Sequence, residues 1–292
     1  MLWFMEGLSW IYFQKTSSGN MLREILDIMD ILDSPNVSGE VIKELFSRYD
    51  VEVDTTTVDG EEGSTDFVKI FIKGTNGKTN EGESPSIGII GELGGIGARP
   101  EIKCMVSDAD GAIVALASAL KLAKMRTNGD ELSGDVIVTT HICPDSPIVP
   151  HEPVPFMDSH VDIETSNKYQ VDEKMDAILS IDATKGNRVH CEKGFAITPT
   201  IKEGWILRVS EDLLDIQERV TGEPPSTLTV SMQDITPYGN DIFHINSILQ
   251  SSTATNSPVI GIATTSVNPV PGCANGANYE EKLAQAATFV VE

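Results

Sequence analysis

Hydrophobic positions along the chain alternate between two spacings, and each predicts a different element. Over residues 21–32 the apolar side chains Leu22, Ile25, Leu26, Ile28, Met29 and Leu32 recur at helical intervals. Ser34-Pro35-Asn36 ends that helix, and Ser38-Gly39-Glu40 opens a second one, with Ser38 as its N-cap and Val41, Ile42 and Leu45 as its apolar face. Residues 49–54 and 67–72 alternate with period two, as half-buried strands do, and residues 76–85 form a polar, Gly-containing loop. Short continuous apolar runs follow at 86–90, 135–140, 176–180 and 259–264, the signature of strands covered on both faces. From Gly111 the run GAIVALASALKLAKM predicts a helix that is apolar on most sides. Strands around the Lys202-Glu203-Gly204 turn, a helix over 212–220 and a closing helix over 279–291 complete the pattern.

Strands alternating with helices predict a single α/β domain over residues 21–292, with a mostly parallel sheet. Residues 1–20 read differently: MLWFMEGLSWIYF is apolar and aromatic but lacks the basic region of a secretory signal, which marks an extension or a misassigned start. The four cysteines, Cys104, Cys143, Cys191 and Cys273, form no CxxC pair, which fits a reducing cytoplasm better than a disulfide scaffold. No apolar run reaches the roughly 20 residues of a membrane helix.

Charge narrows the partners. Lys and Arg total 21 against 44 Asp and Glu, a formal net charge of −23. Such a surface repels nucleic-acid backbones and anionic membranes and leaves a small-molecule or peptide substrate as the expected partner. A homo-oligomer is expected only because symmetric assemblies are common.

Candidate chemistry gathers where apolar segments end, because ligands of open α/β sheets bind outside the carboxyl ends of the strands. Four segments end in polar clusters: Ser107-Asp108-Ala109-Asp110, Thr139-Thr140-His141, Ser180-Ile181-Asp182, and the stretch from Gln233 through Asn240 and Asp241 to His244. Carboxylates and imidazoles converging from separate strands are what a divalent metal, zinc or manganese, requires. Structural alternatives stand beside each: Asp108 or Asp110 as a cap of the Gly111 helix, Asp145 as a turn former beside Pro144, and His141 or His244 as ordinary hydrogen-bonding residues. Asp241 and His244, three apart, share a face if helical. A Cys143–His141 nucleophile and base pair is disfavoured by Pro144, which stops the strand. The glycines from Gly91 to Gly97 have neither dinucleotide spacing nor the lysine of a phosphate-binding loop.

The order of these segments resembles the co-catalytic zinc aminopeptidase and carboxypeptidase superfamily, especially its deblocking or glutamyl aminopeptidase branch, by way of an uncharacterised prokaryotic family. Residues 107–111 before an Ala/Leu helix resemble the bridging-aspartate motif, residues 134–138 the strand leading to paired glutamates, residues 177–184 the strand ending in an aspartate ligand, and Gly239-Asn240-Asp241 a late ligand segment. The resemblance implies a three-layer α/β/α fold with a mixed, mostly parallel sheet. It also implies metal-dependent hydrolysis of a small peptide or amide, with Asp108, His141, Asp182, Asp241 and His244 as metal ligands. Glu92, Asp110 and Asp145 are then the candidate proton carriers, and His151, His160, Gln233, Asn240 and Asn268 the candidate substrate contacts. The sequence departs from the superfamily where Glu92 stands for the first histidine, Thr139-Thr140-His141 for the paired glutamates and Asn268 for the last histidine. Fifteen residues separate Glu92 from Asp108, too few for an inserted lid domain. These departures keep open a non-catalytic ligand-binding or assembly protein on the same fold, and an enzyme that uses the polar crevice without metal.

Overall fold

The computed structural model describes residues 20–60, 63–92, 105, 107–149, 156–184, 190–230, 247–267 and 279–292. Helix α1 (Leu22–Leu32) begins where the Asn20 side chain accepts the Leu22 amide at 2.8 Å, and it buries Ile25, Ile28 and Leu32. Leu26 lies off that stripe and faces solvent. Ser38 caps α2 (Gly39–Phe46) as the sequence predicts, accepting from the Val41 amide. The buried side of α2 carries Ile42 and Phe46, and Val41 is on the outer side, a one-position error in the expected face.

Strand β1 (Glu52–Asp59) pairs antiparallel with β2 (Ser64–Ile72), and both are longer than their hydrophobic alternation suggests. Its Asp-Thr-Thr-Thr stretch sits at the sheet edge, where a solvated face needs no apolar residue. Then come β3 (Ile87–Gly91), α3 (Asp110–Thr127) and β4 (Val136–Ile142). A short hairpin, β5 (Ile148–Val149) and β6 (Phe156–Met157), leads to α4 (Ile163–Gln170), which Asp162 caps through the Thr165 amide. Strands β7 (Ala177–Ala183), β8 (Gly194–Ile197), β9 (Ile201–Lys202) and β10 (Trp205–Ile206) follow. The β9–β10 turn is made by Glu203 and Gly204, both at positive φ. Helix α5 (Glu211–Thr221), a 3-10 segment at Ser247–Thr253, β11 (Val259–Thr265) and α6 (Glu280–Val291) end the chain.

Among the described residues the main sheet has nine strands in the order β1-β2-β4-β3-β7-β11-β9-β10, with β8 also on β11. The central run β4-β3-β7-β11 is parallel throughout and antiparallel strands flank it, so the sheet is mixed with a parallel heart. Helices cover both faces, as the α/β expectation requires. On one face, α1, α2, α3 and α6 bury a core with Ile70, Ile89, Val138, Ile181 and Ile262. The other face is thinner. Ile90, Ile137, Ile178, Val259 and Ala263 pack there with Met175, Ile248 and Leu249, under α4 and the 3-10 segment. Among the described residues, no helix is long and apolar enough to cross a membrane.

Residues 1–19, which contain most of the expected extension, lie outside the described residues. So do His151, Gln233, Asn240, Asp241, His244 and Asn268 from the candidate site.

Candidate functional site

Side-chain alternation decides which polar residues share a face. In β7, Leu179 and Ile181 point to the α3 core, so Ser180 and Asp182 point to the opposite face. In β4, Val138 and Ile142 join the α3 core, so Thr139 and His141 face α4. Gly91, the last residue of β3, is opposite Thr140 on one side and Ile181 on the other. Glu92, one step further, therefore falls between His141 and Asp182. The result is a row at the carboxyl ends of three adjacent parallel strands: His141, Glu92, Asp182. All three are buried.

Each member of the row is held by a neighbour from the thin layer. Gln250, in the 3-10 segment, donates to Glu92 Oε2 at 3.0 Å, and Ser180 Oγ donates to Oε1 at 3.3 Å. The Glu92 backbone amide donates to the Ile181 carbonyl at 2.8 Å. Ser247 Oγ donates to Asp182 Oδ2 at 2.9 Å and the Ala183 amide to Oδ1 at 2.6 Å. Gln170, the last residue of α4, brings its side-chain nitrogen to 3.2 Å from His141 Nδ1.

Burial sets the protonation of the row. It pushes the Glu92 carboxyl up from 4.5 to about 8, and the neighbouring Asp182 adds to the rise while Gln250 and Ser180 oppose it. It pushes His141 down from 6.5 to about 4, so the imidazole is neutral at pH 7. A buried acid that titrates near neutrality is suited to carrying a proton, and a neutral imidazole can donate an electron pair.

The row is also rich in acceptors. Besides the two carboxyl groups, the side-chain oxygens of Gln170 and Gln250 are buried with no hydrogen-bond donor. Among the described residues His141, Glu92 and Asp182 are not at mutual metal-ligand spacing, so the row gathers oxygen acceptors, two of them unsatisfied, and a neutral imidazole without forming a ready ion site.

The other predicted residues fall elsewhere. Asp110 is buried at the first position of α3 but does not cap it; its carboxylate accepts from Thr264 Oγ1 of β11 at 2.7 Å on the α3 face of the sheet. Asp108 is half-buried in the 3-10 turn Ser107–Ala109. Among the described residues, Asp108, His141 and Asp182 do not form a group with mutual metal-ligand spacing. Thr139 and Thr140, at the expected glutamate positions, spend their hydroxyls on the backbone carbonyls of Gln170 and Gly91, at 2.8 and 2.9 Å.

Asp145 and His160 meet each other instead, beyond the end of β4, with His160 Nε2 3.2 Å from Asp145 Oδ1 and Cys143 Sγ 3.9 Å from the same oxygen. Asp145 also occupies a turn, as its neighbour Pro144 suggests. Burial pushes the Cys143 thiol up. Cys143 stands beside Asp145, two residues on, and near His160, which comes from across a loop that spacing along the chain does not reveal.

Gln170 and Gln250 have no place among the residues the sequence points to, and Ser180 stands there only as part of the Ser180-Ile181-Asp182 strand end. Ser180 carried a signal, being polar within an apolar strand two residues before Asp182. The two glutamines lie in α4 and the 3-10 segment, elements without a clear hydrophobic period.

The parallel heart of the sheet, the buried helix behind it and the polar strand ends define an aminopeptidase-like α/β fold. Among solved structures, the chain is similar to a leucyl aminopeptidase from Trypanosoma brucei in complex with actinonin, with a TM-score of 0.51, 10% identity, and coverage of 92% of this chain and 62% of that one. The chain thus spans under two thirds of that aminopeptidase. It is similar as well to the bottromycin maturation enzyme BotP in complex with Mn, with a TM-score of 0.52, 11% identity, and coverage of 94% and 72%. At such identities the likeness shows the fold, and the resemblance read from segment order holds at that level. No curated protein matches the sequence. A family described as "Protein of unknown function (DUF1177)" matches residues 56–292, and the chain belongs to it.

Proposed function

We propose that this protein is a metal-dependent hydrolase of a small peptide or amide, working at the row of His141, Glu92 and Asp182. The observation that carries the reading is Glu92: a buried carboxyl at a parallel-strand end, raised to about 8 beside a second carboxyl. Burying two such groups side by side is costly for stability alone and suits a site that takes a cation and moves a proton. Asp182 and His141 would hold the ion, with Asp108, Asp241 or His244 as further ligands. When bound, a divalent ion polarises a carbonyl and lowers the pKa of water. Glu92 accepts a proton from the attacking water and returns it to the leaving amine, and its near-neutral pKa lets it do both. Gln250 and Ser180 fix the carboxyl for that exchange, and Gln170 orients the His141 ring. The manganese in BotP and the peptidase activity named for the trypanosomal enzyme are consistent with this reading.

The test joins metal content to turnover. Protein purified without chelator, loaded with manganese or zinc, is assayed against a panel of aminoacyl amides and short peptides. Glu92→Gln is expected to keep the metal and lose at least about a hundredfold in rate, the upper part of the range for general acid–base catalysis. Asp182→Ala is expected to lose turnover and the equivalent of metal held at the row. Metal content unchanged by Asp182→Ala, together with no turnover by the loaded wild type, would sink the proposal.

A second reading, a ligand-binding or assembly protein without catalysis, is favoured by Thr139 and Thr140. Their hydroxyls are committed to backbone carbonyls where the superfamily pattern expects carboxylates. Tight binding of peptide or amide ligands by the loaded protein, with no product formed, is its expected result.

A further inference from the structure

We propose that Cys143, Asp145 and His160 form a second metal site, selective for a soft divalent ion such as zinc and separate from the carboxylate row. Among the described residues this is the one group of three His, Cys, Asp or Glu whose ligand atoms all lie within 4.8 Å of one another. Tetrahedral zinc with ordinary bond lengths sets its ligand atoms about 3.3 Å apart for nitrogen and oxygen and about 3.6 Å apart for sulfur and oxygen. The corresponding separations here are 3.2 and 3.9 Å. Little movement separates these positions from a coordination sphere.

The site is built rather than incidental. Ser146 Oγ donates to the Cys143 carbonyl at 3.1 Å, closing the turn that holds the thiol beneath Asp145. The His160 side chain is only 5% exposed, because the ring rests on the β1–β2 turn. Gly63 makes room for the ring and Gly60 for the His160 backbone. A Cβ on Gly63 would lie 2.5 Å from His160 Nε2, and one on Gly60 would lie 1.7 Å from the His160 carbonyl oxygen. The ring nitrogen Nδ1 is buried without a hydrogen-bond partner, so packing and hydrogen bonding alone leave this histidine incompletely satisfied. Asp145, at 54% exposure, leaves the opposite side open to a fourth ligand from solvent.

Sulfur, nitrogen and oxygen together favour zinc over manganese or magnesium, in contrast to the oxygen-rich row. An ion here ties the exit of β4 to the residues just before α4, two positions from its cap Asp162. Helix α4 ends in Gln170, which touches His141, so the second site steadies one support of the first.

Cobalt substitution tests this without any assay of turnover. The full-length protein is stripped by chelator and titrated with Co²⁺, and the thiolate-to-cobalt charge-transfer band in the near ultraviolet is followed. The expected result is a band that saturates at one equivalent per chain and is erased by Zn²⁺. Cys143→Ala is expected to abolish it. Asp145→Asn, on an exposed side chain that folding tolerates, is expected to weaken cobalt binding at least about tenfold, as disturbed metal sites commonly show. Asp182→Ala is expected to leave the band intact, so failure of the carboxylate row and failure of this site give different results. No band in the wild type, or a band that survives in Cys143→Ala, overturns the assignment.

Discussion

The two polar clusters of this protein are built in opposite ways. His141, Glu92 and Asp182 come from three neighbouring parallel strands, and the register of the sheet sets their spacing. Cys143, Asp145 and His160 come from the loops beyond β4, and their spacing is set by a turn and by a ring seated on Gly63. The row is wholly buried and dominated by oxygen acceptors; the loop cluster includes sulfur and is open on the Asp145 side. Register is a property of many backbone hydrogen bonds, so the row resists any one side-chain change. The loop cluster depends on a few contacts, and small changes reach it directly. If both proposals hold, hard and soft ions go to different places on one fold.

Adding a single methyl group behind the row is the most disruptive way to challenge this contrast. Gly111, in the first turn of α3, packs against the ends of β3 and β7. A Cβ there would lie 2.2 Å from the Glu92 carbonyl oxygen and 2.5 Å from that of Ile181. Both are backbone atoms of the sheet and cannot turn aside, so α3 must retreat. Gly111→Ala is expected to cost about 3 kcal/mol, the upper end of ordinary overpacking. Urea denaturation followed by circular dichroism measures it; a loss within about 0.5 kcal/mol, as for a neutral surface change, would show that the strand ends are not rigid.

A smaller effect isolates the charge within the row. Glu92 holds its proton up to about pH 8 in the folded state but releases it near 4.5 when unfolded. The folded state therefore binds more protons across that window, and stability falls as pH rises through it. His141 acts in the opposite direction: its folded value of about 4 is below 6.5, so stability falls as pH drops between those values. From about pH 6.5 to about pH 8 only Glu92 slopes, by roughly 2 kcal/mol at 1.36 kcal/mol per unit. Glu92→Gln is expected to remove that decline, and saturating manganese to flatten it in the wild type. Denaturation midpoints at the two ends of the range give the answer. An unchanged slope in Glu92→Gln would mean another group is responsible.

Much of this organisation was legible in the sequence. The buried runs at 86–90, 135–140 and 176–180 are parallel strands because both their faces are covered, and the same runs end in Glu92, His141 and Asp182. The rule that ligands gather beyond such ends pointed to His141 and Asp182, whereas Glu92 entered only through the resemblance, where it stands for the first histidine. The partners that tune the row were hidden. Gln170 sits in IETSNKYQ, a helix too polar to show a period, and Gln250 in a 3-10 segment whose threefold repeat differs from the helical pattern. Asp110 illustrates a different limit: its place at the start of α3 was readable, but its partner Thr264 lies 154 residues away. The loop cluster was hidden most completely, because a histidine 15 residues from an aspartate becomes its neighbour only through the fit of its ring to Gly63 and of its backbone to Gly60.

That fit gives the mildest and most discriminating comparison. Gly63→Ala adds the same methyl group as Gly111→Ala, and its Cβ would meet His160 Nε2, Cε1 and Cδ2 at 2.5, 2.6 and 2.8 Å. The obstacle here is the end of a side chain, which can rotate, and not a fixed carbonyl. The expected cost is about 1 kcal/mol, the lower end of overpacking and a third of that at Gly111. Relief comes from swinging the imidazole off the hairpin, which carries Nε2 away from its place beside Asp145 and Cys143. Gly63→Ala is therefore expected to weaken the cobalt–thiolate signal far more than its small stability loss suggests, whereas Gly111→Ala, once folded, is expected to retain it. Equal stability losses in the two variants would mean that the ring is held as firmly as the backbone, and the distinction between a register-built and a contact-built site would fail.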